Sequence, residues 1–173
     1  ANKWGQVIQL TSPAPAPGDN YGASVAISGG VAAVGAPLFD DQFANQGVVF
    51  IFHQNANNPE QWDFVKIVHS NDAASADNFG ASVALDGERL LVGCPLNDQS
   101  GANAGAAYAF YRNLGGADNW GQAAKMIATT GAADDNMGVS VALDGDYAIV
   151  GANGVDGLQQ NAGAAYIFGR NQF

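Results

Sequence analysis

The sequence predicts an all-β protein built from three copies of one four-stranded antiparallel unit. Three observations carry that prediction. The chain repeats itself every fifty-eight residues without a single insertion or deletion, each copy opens on a stretch that alternates polar and apolar, and short Val- and Ala-rich runs are separated by Gly-containing turn signals with no helical periodicity. Trp4, Trp62 and Trp120 mark the period, so the copies run over about 4–61, 62–119 and 120–173 of one repeat domain spanning 1–173.

The elements follow in order within each copy. WGQVIQL, WDFVKIV and WGQAAKM have the period of two expected of a half-buried strand. After a connection rich in Pro, Ala and Asp comes G-[AV]-S-V-A-[IL], whose small residues suit a strand pressed against other backbones. Ser28-Gly29, Asp86-Gly87 and Asp144-Gly145 then signal tight hairpins into VAAVGAP, RLLVGCP and YAIVGAN. A polar loop leads to the last strand, GVVFIF, GAAYAF or GAAYIF, in which Phe50, Tyr108 and Tyr166 share a column. Four strands per copy make twelve. Repeated four-stranded sheets whose smallest residues lie on one strand are what a β-propeller requires, because its inner strands converge on a narrow axis. The alternative with three units of four strands is a β-trefoil, for which the unit is long and the small-residue strand has no evident use.

Composition narrows the function classes. A chain of 173 residues with 47% hydrophobic and 13% charged residues suits a compact globular protein. Sixteen acidic side chains against six Lys and Arg give a formal net charge of -10. Nucleic acid and anionic lipid surfaces both need clustered Lys and Arg, so neither is expected as a partner. No apolar run reaches the length of a membrane span, and Ala1 does not open a signal peptide. The lone Cys94 shares a column with Ala36 and Ala152 and reads as a small buried hydrophobe. No Asn-x-Ser/Thr sequon occurs, whereas Thr11 and Ser12 beside Pro13, Pro15 and Pro17 could carry O-linked sugar.

The recurring residues N-[YFM]-G-x-S-V-A-[IL]-x-G, then V-G-[AC]-[PN], then G-x-[AV]-[YF]-x-F occur three times in one phase. In these motifs the chain resembles the FG-GAP repeat of integrin α-subunit propellers and related bacterial, algal and fungal proteins. The resemblance implies one propeller blade per copy and roles in adhesion, ligand binding or extracellular scaffolding, at the cell surface or outside the cell, and it implies no chemistry. Family members commonly have seven blades, and this chain supplies three. In such propellers a blade often takes its outer strand from the following repeat. The Trp62 strand would then complete the first sheet and the Trp120 strand the second, while the third sheet lacks an outer strand and the Trp4 strand has no sheet of its own. Strand exchange between chains would match donor to edge, giving a closed six-bladed ring of two chains or a head-to-tail fibre. The expectation is therefore a non-enzymatic structural or adhesive module that assembles with itself and could meet glycans or cell-surface proteins. The alternative is a carbohydrate-binding propeller lectin.

Candidate sites follow the repeat. Asp40, Asp41 and Asn45, Asp98 and Asn103, and Asp156 and Asn161 lie in the polar loop that can be a calcium cage in the family. Calcium wants six to eight oxygens, usually with several carboxylates; here the same residues could instead cap the loop through side-chain to backbone bonds. Asp19-Asn20, Asp77-Asn78 and Asp135-Asn136 precede the inner strand and could ring an axial opening, or simply turn the chain into that strand. The three tryptophans could stack on sugar rings or pack between sheets. The residues that break the threefold pattern, His53, His69, Cys94, Arg89, Glu60 and Glu88, form no recognisable catalytic constellation.

Overall fold

The structure is a computed structural model that describes residues 4–170. Among the described residues it contains eleven strands and no helix: β1 (Ser24–Ser28), β2 (Val31–Ala36), β3 (Val48–Gln54), β4 (Trp62–Val68), β5 (Ser82–Asp86), β6 (Arg89–Cys94), β7 (Ala106–Tyr111), β8 (Gly121–Met126), β9 (Met137–Asp144), β10 (Tyr147–Ala152) and β11 (Ala164–Gly169). They form three antiparallel sheets, β1-β2-β3-β4, β5-β6-β7-β8 and β9-β10-β11, which are propeller-like blades. The first two sheets each take their outer strand from the following repeat. Trp62 pairs with Gln54 and Val68 with Val49, and one repeat later Gly121 pairs with Tyr111 and Met126 with Ala107.

Two expectations are corrected. The stretch from Trp4 to Leu10 is not a strand, so the count falls one short of twelve. An isolated extended segment makes no ladder bonds, and its alternation becomes a strand only where a neighbouring edge receives it. The hairpin between β1 and β2 turns on Gly29 and Gly30, both at positive φ, one residue beyond the Ser28-Gly29 pair.

The central strands β2 and β3 are apolar on both faces because each face meets other residues: Val34 and Phe50 point one way, Ala33 and Ile51 the other. Between the first and second sheets lies a core of Val31, Ile51, Leu90, Val92, Phe110 and Trp120 among others. A second core between the second and third sheets includes Leu91, Met137, Val150 and Phe168. The inner strands lie side by side, and glycine sets their spacing. A Cβ on Gly35 would stand 2.1 Å from the Gly80 carbonyl oxygen, and one on Gly93 only 1.9 Å from that of Gly138. The same two carbonyls accept hydrogen bonds from the Ser24 and Ser82 hydroxyls, both at 2.7 Å. In the third sheet the equivalent Gly151 faces only Ser140 of its own sheet.

This asymmetry is testable in dilute solution. Gly93→Ala must push two backbones apart and is expected to cost about 2–3 kcal/mol, as overpacking does, whereas Gly151→Ala needs only a rotation of the Ser140 hydroxyl and should cost less than about 1 kcal/mol. Urea unfolding midpoints of the two variants check the difference.

Candidate functional site

The polar loops are held by their own residues. Asp40 Oδ1 accepts from the Asn45 amide at 2.7 Å, Asp98 Oδ1 from Asn103 at 2.8 Å and Asp156 Oδ1 from Asn161 at 2.8 Å. Each asparagine takes a left-handed backbone, φ 50°, 52° and 52°, a conformation to which Asn is suited. Asp41 contributes a further carboxylate in the first loop and accepts from the Gln46 side-chain amide. Among the described residues no three His, Cys, Asp or Glu side chains converge as on a metal. Backbone carbonyls and water would have to supply most of any calcium shell.

The Asp-Asn pairs act alike in all three copies. Asp19, Asp77 and Asp135 are buried, and each accepts a bond from the amide three residues earlier, of Ala16, Ala74 and Ala132. Asn20, Asn78 and Asn136 sit at φ 57°, 57° and 55°. Burial raises the Asp77 carboxyl, opposed by its bonds from Ala74 and Asn97. Beyond the turn these segments join sheets: the Asn78 and Phe79 amides donate to the carbonyls of Asn45 and Gln46, and the Asn136 and Met137 amides to those of Asn103 and Ala104.

The tryptophans occupy three different environments. Trp120 is 2% exposed between the first and second sheets, with its ring 6.5 Å from His53. Trp62 is half-buried against the outer face of the first sheet. Trp4 is fully exposed, so of the three only Trp120 packs between two sheets. The residues that break the repeat do not gather: no hydrogen bond joins any two of His53, His69, Cys94, Arg89, Glu60 and Glu88. Cys94 Sγ donates to the Asp77 carbonyl, and burial pushes its thiol well up. Arg89 pairs with Asp86 and Asp146. His53 lies beside Arg112 and Asp118, which are themselves paired at 2.5 Å. Burial, then the Arg112 charge, lowers the His53 pKa against the opposing pull of Asp118.

The sequence columns also identify two apolar faces that match across the molecule. On the first sheet Val25 and Ile27 are both 69% exposed, whereas their counterparts Val83 and Leu85 pack on the sheet before them. On the third sheet Tyr147, Ile149 and Ile167 are exposed, Ile167 at 70%, whereas their counterparts in the first sheet, Val31, Ala33 and Ile51, are buried beneath the second. The carbonyls of Asn161 and Ala162, in the columns of Asn45 and Gln46, accept no backbone bond from another sheet among the described residues. The sequence held the signal for these faces, since each is found by asking what the same column does one repeat away.

Sheets with adjoining inner strands, each completed by the next repeat where one follows, define a β-propeller-like repeat module. The chain belongs to the FG-GAP repeat family, whose model matches residues 4–52, 62–110 and 120–168. Repeats of this family are typically extracellular domains. A comparison with curated proteins gave no match. No helix among the described residues is long and apolar enough to cross a membrane.

Two measurements test the local chemistry. Asp98→Ala removes the bond to the Asn103 amide and should cost about 1 kcal/mol of unfolding free energy, the typical net value of one such bond. The lowered His53 pKa favours the neutral ring in the fold, so its contribution is complete above the ordinary value of 6.5 and is lost as the pH falls through the lower folded value. His53→Gln should therefore flatten the fall in denaturation midpoint between about pH 7.5 and about pH 5.

Proposed function

We propose that this chain is a non-enzymatic extracellular or cell-surface structural module that assembles head to tail with copies of itself. The observation that carries the reading is the pairing of an unfilled edge with an unused strand. β11 bonds to β10 on one side only, and residues 4–10, whose equivalents 62–68 and 120–126 complete the first and second sheets, join no strand ladder, Leu10 alone packing on the outer cluster of the first sheet. An open strand edge is a template for main-chain pairing, and strand addition from a second chain satisfies it. The apolar faces support the same geometry, with Val25 and Ile27 of one copy set against Tyr147, Ile149 and Ile167 of another. If the rotation closes, two chains make a ring of six sheets; if it does not, contacts of one kind grow a fibre. A purpose in adhesion or scaffolding fits repeated units of the FG-GAP family joined end to end.

Analytical ultracentrifugation across the micromolar range tests this, with a mass that rises with concentration as the expected result. Ile167→Lys places a charge on the open edge, where strand pairing is most easily blocked, and should leave the fold intact while abolishing association. A wild-type chain that stays monomeric throughout would overturn the reading, and binding on a glycan array competed by free sugar would favour a lectin in its place.

A further inference from the structure

The crevice between the second and third sheets has a volume of about 360 Å³ and a mostly apolar lining. Its lining residues Ala109, Ala123, Met126, Leu143, Ala148 and Phe168 lie one repeat beyond Ile51, Val65, Val68, Leu85, Leu90 and Phe110. Those six belong to the cluster that contains Trp120, or pack against it. The correspondence extends to the mouth. His53, which faces the Trp120 ring, becomes Tyr111, and Arg112, whose carbonyl accepts from the Trp120 amide, becomes Arg170. The crevice thus has the walls of a tryptophan site, widened where alanine replaces Ile51, Val65 and Leu90.

We propose that this crevice receives the Trp4 indole of a second copy, as residues 4–10 of that copy add to the β11 edge. The inference rests on the self-assembly reading and supplies its anchor and register. Transferring the β7–β8 pairing forward by one repeat sets Gly169 opposite Gly5, Phe168 opposite Gln6, Ile167 opposite Ile8, Tyr166 opposite Gln9 and Ala165 opposite Leu10, with Val7 at the bulge. The site continues an interface the molecule already uses, since Trp120 enters the space between the first and second sheets from the same end of the same outer strand. A second copy fits as the occupant because it carries an unpaired segment in the Trp column: Trp62 and Trp120 are packed on the first and second sheets, and Trp4 is fully exposed. A large aromatic anchor seated in an apolar pocket is the kind of residue that concentrates binding energy at an interface.

Cysteine pairs read the register directly. Ile8→Cys with Ile167→Cys should form a disulfide between chains under mild oxidation, seen as covalent multimers on non-reducing gels. Gln9→Cys with Ile167→Cys, one residue out of register, should not. Trp4→Ala alters a segment outside the folded sheets, so it should keep the monomer's thermal midpoint while weakening association at least tenfold. In the parent chain, tryptophan emission should shift to the blue as concentration rises, and in Trp4→Phe it should not. Assembly without that shift and without the in-register disulfide would overturn the indole site and leave self-assembly standing. A chain monomeric at every concentration would overturn both, and a disulfide closed within one chain would overturn the second copy as occupant.

Discussion

The pairing of one repeat's last strand with the next repeat's first stretch is the constraint on which the rest depends. β3 bonds to β4 and β7 to β8, so neither of the first two sheets is complete until the chain has begun the following copy. Each repeat is thereby tied to its neighbour by a ladder of main-chain bonds as well as by side-chain packing. That ladder brings Trp120 back against the first sheet and places the apolar faces of β5 and β9 on the sheets before them.

Close approach of the inner strands follows from the same arrangement. With neighbouring sheets fixed by a shared strand, their inner edges meet where Gly35 faces Gly80 and Gly93 faces Gly138, too near for any Cβ. The serine hydroxyls bonded to those glycine carbonyls hold the contact without adding bulk. On the outward faces of the first and third sheets the same columns meet no neighbouring sheet, and Val25, Ile27, Ile149 and Ile167 stay exposed.

Much of this was legible in the sequence. The gapless period located the sheets, the small-residue stretch identified the inner strand, and the resemblance to the FG-GAP repeat implied that β4 and β8 join the sheets before them. The state of the first stretch was less legible, because residues 4–10 carry the same alternation as 62–68 and 120–126, and local pattern cannot report whether an edge lies within reach. The fate of Trp4 went with it. His53, Arg112 and Asp118 were missed as a group because a loop carries Asp118 back past β7, a contact without periodicity. The loop and turn aspartates read either as ligands or as caps, since a carboxylate in a polar loop can serve both roles; in the fold Oδ1 of Asp40, Asp98 and Asp156 accepts from the Asn45, Asn103 and Asn161 amides.

The charge distribution bears on how far the proposed assembly could extend. Arg89, Arg112, Lys125 and Arg170 are all engaged with aspartates of their own chain, leaving a formal charge of -10 spread over the subunit. In the proposed head-to-tail assembly every added subunit would bring ten more like charges, so repulsion would grow with length while the attraction at each joint stayed constant. Dissolved salt screens that repulsion over about 10 Å at 0.1 M, which would make the ionic strength of the surroundings the governor of string length.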